Sequence, residues 1–371
     1  MPISEFSLHR PAARLGSTMS ALQRAACGWL LAIVLLAAPG DAAAQEIKPD
    51  RAGQVVPLRP INIGFVQHAY GTWTAKIADG GFELATGRTM RWLPYDADSA
   101  VASALASGGI DIGLMGTSVV AAAIARGLDL KVFYVLGGPP DSEGLVLGAD
   151  ITFRFGDMKT LQSKVIAVPF GSTPHFRLLQ SLRRWGVALS AMRIVNLQAG
   201  QIADAWKRGD IDAAAVSQPM LGRLSGQGYL VPLPVSGGQT SVLVFAAAGE
   251  FYVQHMVFLS RLVDVMSRAD SAFASMSGPL TVDRADVRSI AFVTGLDPAD
   301  VIASIARYRP PPLEEQATPS WLGGGALSGL AAELKANAEV WRWGGRLTGT
   351  EPNYPAAMAP EPVQMAISYQ R

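Results

Sequence analysis

The stretch GGIDIGLMGTSVVAAAIARGLDLKVFYVLG, residues 108–137, decides how this chain folds. Its two opening glycines close an Ala-rich helical pattern, SAVASALASGG, and IDIGLM then runs apolar as a short strand. SVVAAAIARG returns to helical spacing before LKVFYVLG runs apolar again. Apolar runs of this length, separated by helical patterns, are strands covered on both faces. Upstream, INIGFV (61–66) and TMRWLPY (89–95) read as strands, with the helical pattern WTAKIADGGFELATG between them, interrupted at Gly80 and Gly81. The alternation predicts an α/β chain with a largely parallel sheet and helices on both faces.

Part of the layout recurs. GGIDIGLMGTS (108–118) is echoed by GDIDAAAVSQP (209–219), and INIGFVQH by KVIAVPFG (164–171). Each copy ends a helix in glycine, places an Ile-Asp pair, and runs a short strand into a polar loop. Two similar α/β lobes explain the echo better than a solenoid period. The expected division is lobe one over 59–155 plus 241–371, and lobe two over 156–240. The first crossover is expected at 149–157, with GGQTSVLVFAAAG (237–249) as a strand returning to lobe one. Asp111 and Asp212, at the starts of the echoed strands, read as turn or packing residues.

Composition bounds the function. The 371 residues carry a net charge of +1 and are 49% hydrophobic and 16% charged, with no basic stripe, so nucleic acid is not the expected partner. Arg10, Arg14 and Arg24 precede WLLAIVLLAA (29–38) and then DAAA. That is the pattern of a cleavable signal peptide over 1–44, with export to the periplasm. The single Cys27 lies inside this leader, which leaves no disulfide framework and no multi-cysteine metal site.

In open α/β sheets a ligand sits beyond the carboxyl ends of the strands. The loops at those ends carry Gln67, His68 and Tyr70; Gly116, Thr117 and Ser118; Ser142 and Glu143; Ser172, Thr173 and His175; and Ser217 and Gln218. Thr173 before Pro174 reads as a helix cap followed by proline in the first turn. Two helix N-termini, one from each lobe, would face a shared crevice. Free amide donors and positive dipole ends there suit an oxyanion. No G-x-S-x-G elbow, G-x-G-x-x-G, Walker lysine loop or H-E-x-x-H is present, which argues against an enzyme and against a metal. No cofactor is expected.

The segments GGIDIGLMGTSVVAAAIARGLDLKVFYVL, SEGLVL, KVIAVPFGSTPHFRLLQSLRRWGV and VNLQAGQIADAWKRGDIDAA resemble the taurine-binding proteins of bacterial ABC importers and their aliphatic-sulfonate relatives. The resemblance covers residues 61 to about 250 and thins out in the C-terminal third. It implies a monomeric, two-lobed solute-binding protein of the type II periplasmic fold. Such a protein closes on one small organic anion and passes it to a membrane permease with its ATPase. The resemblance also implies that hydroxyl and amide donors at Gly116, Thr117, Ser118, Ser172, Thr173 and His175 hold the sulfonate. The positions where taurine binders meet the ammonium correspond to Trp73, Ser217 and Ser241, so taurine itself is a poor fit. Trp73, Tyr70 and His68 would suit a more apolar tail. The alternatives are an enzyme of the same two-lobed fold, whose known relatives use a cysteine motif, and a ligand sensor without transport.

Overall fold

The computed structural model describes residues 47–49, 55–66, 71–137, 143–152, 158–218, 220–233, 242–275, 278–306 and 308–371. The leader expected over 1–44 lies outside them. Twelve strands are described, and the first two, β1 (Ile47–Pro49) and β2 (Val55–Pro57), form a small antiparallel pair. The others are β3 (Ile61–Val66), β4 (Met90–Tyr95), β5 (Ile112–Gly116), β6 (Leu130–Gly137), β7 (Glu143–Gly148), β8 (Val165–Val168), β9 (Arg193–Asn196), β10 (Ala213–Ser217), β11 (Gly228–Pro232) and β12 (Leu243–Ala248). They make two five-stranded sheets, ordered β4-β3-β5-β12-β6 and β9-β8-β10-β7-β11.

The two sheets are built alike. In each, a first strand pairs in parallel with two neighbours, β3 with β4 and β5, and β8 with β9 and β10. An antiparallel strand then joins: β12 beside β5, and β7 beside β10. The echoed aspartates do the same work in both. Asp111 accepts the Asn62 N–H at 2.9 Å and two Arg59 N–H groups at 2.9 and 2.6 Å. Asp212 accepts the Val165 N–H at 2.8 Å and the Lys164 ammonium at 3.1 Å. Each carboxylate thus ties the start of a central strand to the start of its parallel neighbour. This satisfies backbone donors that the ladder leaves open.

Each sheet is largely parallel, as expected, with a single strand, β12 or β7, running against the others. One expectation is corrected: the crossing between the sheets comes earlier than 149–157, because β7 already pairs with β10 and β11 and the chain changes sheets after β6. The return at β12 lands in the first sheet, as the sequence suggests.

β5 is buried along its whole length, and β10, Ala-Ala-Ala-Val-Ser, is buried through Val216. Covering helices exclude water from both faces, so alternation disappears and small side chains let the helices approach. The helical pattern after β3 breaks in two at Gly80, which takes a left-handed conformation (φ 69°) between helices Thr74–Ala78 and Gly81–Thr86. The C-terminal third is helical and packs mainly on the first sheet. Its helix Gly329–Trp343 also reaches the second half: Trp341 lies 5.7 Å from the Phe176 ring, and Leu179 packs against Gly344.

Candidate functional site

The carboxyl ends of β5 and β8 each feed a helix. Gly116 precedes helix Thr117–Ala125, and Ser172 caps helix Thr173–Arg184. The cap is Ser172 rather than Thr173: its hydroxyl donates to the Pro169 carbonyl at 2.6 Å and accepts the His175 N–H at 3.4 Å. Pro174 then supplies a fixed φ in the first turn. Thr117 and Ser118 lie inside their helix, so neither caps it.

These two loops meet. A Cβ added at Gly116 would lie 2.4 Å from the Thr173 hydroxyl oxygen, so the backbone of one half touches a side chain of the other. Gly116 has an ordinary φ of −68°, and its lack of a side chain serves this close approach rather than a turn. At the contact, Asp98 bridges the halves. Its carboxylate accepts the Thr173 O–H at 2.9 Å and, more loosely, the Gly116 N–H at 3.4 Å. Beside it, Thr117 donates its hydroxyl to Glu333 at 2.6 Å and its N–H to the Val242 carbonyl at 3.0 Å. Of the donors expected to hold an anion, Gly116, Thr117, Ser172 and Thr173 are thus engaged by the protein's own acceptors, whereas the buried Ser118 hydroxyl and His175 Nε2 have no partner among the described residues.

Burial governs the charges here. Asp98 and Glu333 are both held above the usual carboxylate range, chiefly by loss of water. Hydrogen bonds from Thr173 and Gly116 oppose this at Asp98. Those from Thr117 and Asn337, with the charge of Arg177, oppose it at Glu333. Arg177 is itself buried, 3.8 Å from Glu143, and burial lowers its pKa against the pull of both acids. His175 is pushed down to about 4 by burial and then by the nearby Arg346 guanidinium, so it is neutral above that pH. Its Nδ1 accepts the Gly171 N–H at 3.1 Å, which leaves the proton on Nε2.

The remaining expected residues divide. Glu143 and Ser217 face each other across the β7–β10 ladder, close to the contact. Gln218 accepts the Gly222 N–H at 3.2 Å in the following turn. Gln67, His68, Tyr70, Ser142 and Ser241 lie outside the described residues. Trp73 is not at a ligand surface. It is 0% exposed, edge-on to Phe65 and Phe245 and 5.6 Å from Trp92, where a large aromatic body is worth most. His175 is enclosed too, stacked on Phe170 at 4.7 Å and edge-on to Trp341.

Two cavities flank the contact. One of about 340 Å³ opens at the carboxyl end of β4, between Tyr95, Asp96 and Ala97 of the first half and Gln198 of the second. The other, about 630 Å³, runs along the helices on the opposite side of Ser99, which lines both. Among the described residues no group of His, Cys, Asp and Glu has the makings of a metal site.

Sequence reasoning missed Asp98, Arg177, Glu333 and Asn337. Asp98 carries a local signal, an acid opening helix Asp98–Ala106. Glu333 carries none, since Thr117 is 216 residues away.

No family model matches the chain. Over 154 residues it is 38% identical to the taurine-binding periplasmic protein of Escherichia coli (strain K12), covering 42% of this chain and 47% of that protein. Over 221 residues it is 27% identical to a putative aliphatic sulfonates-binding protein of the same organism, covering 59% and 66%. The match thus spans about half to two-thirds of these curated relatives. The alkanesulfonate-binding protein SsuA from Xanthomonas axonopodis pv. citri, bound to MOPS, superposes with a TM-score of 0.64 at 24% identity, covering 80% of this chain and 97% of that one. Fold and sequence agree in what the chain is similar to: part of it matches the taurine- and sulfonate-binding periplasmic proteins in sequence, and its two sheets have the type II periplasmic-binding-protein fold.

Proposed function

We propose that this chain is the exported solute-binding component of an ABC importer and takes a small organic anion, an organosulfonate, between its two lobes. It would work in the periplasm and deliver its ligand to a membrane permease with its ATPase, without chemistry of its own. The observation that carries this reading is the direct meeting of two helix N-termini, at Gly116 and Ser172, from two similarly built sheets. Donors from both halves converge there, and an anion that replaces Asp98 as their acceptor would draw the halves together. The homology to sulfonate-binding proteins supplies the ligand class. Gln67, His68, Ser142, Glu143, Ser217 and Gln218 are assigned to the same crevice from their place at the strand ends, and Ser241 on the resemblance. Trp73 acts from the core, as support.

The case against taurine is weaker than the sequence suggests. It rests on two acidic positions of the taurine binders, which correspond here to Trp73 and Ser241, and on an aromatic one, which corresponds to Ser217. Asp98 and Glu333 bring carboxylates to the same contact from other elements. Calorimetric titration of the mature protein with taurine, methanesulfonate, aryl sulfonates, sulfate and nitrate tests the proposal. Saturable binding of a sulfonate is expected, and no binding across the set would refute it.

A further inference from the structure

We propose that the larger cavity is a second binding site, separate from the crevice, for a small organic anion with an apolar body. It lies between helices Asp98–Ala106 and Thr117–Ala125 and extends to their C-terminal ends at Ala106 and Arg126. The crevice donors sit at the opposite ends of the same helices. Its volume, about 630 Å³, falls among those of small-molecule sites.

The lining divides into a body and a head. Ala102, Val119, Ala122, Ala123 and Leu128 give an apolar wall. Arg126 and Arg346 give the charge, and the described lining holds no carboxylate. Neither arginine is in any of the described ion pairs. Both are held in place. The Arg346 guanidinium lies 4.2 Å over the Phe170 ring, and an Arg126 N–H donates to the Arg346 carbonyl at 3.2 Å. A guanidinium held over an aromatic face still has N–H donors for a planar or tetrahedral oxyanion. The neutral His175 also borders the cavity, and its Nε2–H has no partner among the described residues. Two unopposed cations beside an apolar wall favour an amphiphilic anion over a neutral solute or an inorganic ion.

The probe is naphthalene-2-sulfonate, followed by calorimetry on the full mature protein, with naphthalene-2-methanol as the neutral analogue. Wild-type protein should bind the sulfonate and bind the alcohol at least about tenfold more weakly. The double variant Arg126→Gln/Arg346→Gln should lose about tenfold or more in sulfonate affinity. Ala106→Trp, a substitution at an exposed position that fills the cavity end, should also weaken it, with the unfolding midpoint unchanged. Excess methanesulfonate, which is small enough to fill the crevice alone, should leave the arginine-dependent binding of naphthalene-2-sulfonate in place. Equal binding of the alcohol, or indifference to the arginine and Ala106 changes, would overturn the proposal. So would no binding at all. Displacement of the probe by methanesulfonate, with indifference to the arginine changes, would place the probe in the crevice, which refutes the second site and leaves the proposed function standing.

Discussion

Replacing Asp270 by asparagine should remove a pH dependence from the stability of this protein. Asp270 lies in helix Met256–Ala274 and accepts hydrogen bonds from the hydroxyls of Thr72 and, at 3.1 Å, Tyr134. It thereby ties the segment after β3, next to expected ligand residues, to β6 and the C-terminal helices. Burial pushes its pKa up from an ordinary 3.8 to about 6, although Thr72 and Tyr134 pull the other way. The folded state therefore holds more protons than the unfolded state between those values, and stability falls as pH rises through the window. At about 1.4 kcal/mol per pH unit the full loss is about 3 kcal/mol, of which about 2 kcal/mol falls between pH 4.5 and 7.5. An asparagine in its place would keep an acceptor for one hydroxyl and carry no titration. Urea unfolding of both proteins at several pH values gives the test, and the difference between them isolates Asp270 from other acids. The wild type should lose about 2 kcal/mol relative to Asp270→Asn over that range. A difference that does not change with pH would show that the carboxylate is not held as argued.

Three further outcomes test the contact between the halves. Asp98→Asn removes a charge that competes for the Thr173 and Gly116 donors, so methanesulfonate should bind about tenfold more tightly by calorimetry; unchanged or weaker binding would mean that Asp98 does not compete. Gly116→Ala should destabilise by about 1 kcal/mol or more by displacing the Thr173 hydroxyl, and Thr173→Ala in the same chain should restore most of it. Additive losses in that double-variant cycle would rule out the contact. Arg177→Met leaves the buried Glu333 and the partly buried Glu143 without this buried cation and should cost about 3–5 kcal/mol in urea unfolding. A loss below about 1 kcal/mol would mean that the arginine is not buried between them.

Much of the architecture is local and was therefore legible. Alternating strands and helices follow from apolar runs and glycine stops, and the echo of GGIDIG in GDIDAA marks two sheets whose aspartates do the same stitching. The Ser172–Pro174 start of a helix is likewise written in consecutive residues, even if the cap proved to be one residue earlier than Thr173. The tertiary structure alone decided which sheet takes β7. An apolar run does not name its partner, and the antiparallel place beside β10 is filled by whichever strand the crossing delivers. It also decided that Trp73 belongs to an aromatic core, because nothing in the local spacing says which side of a helix start faces a second layer. Above all it decided the acceptors at the contact. Asp98 meets Thr173 across 75 residues and Glu333 meets Thr117 across 216. A carboxylate finds a hydroxyl through space, after the sheets have packed, and sequence distance carries no record of that meeting.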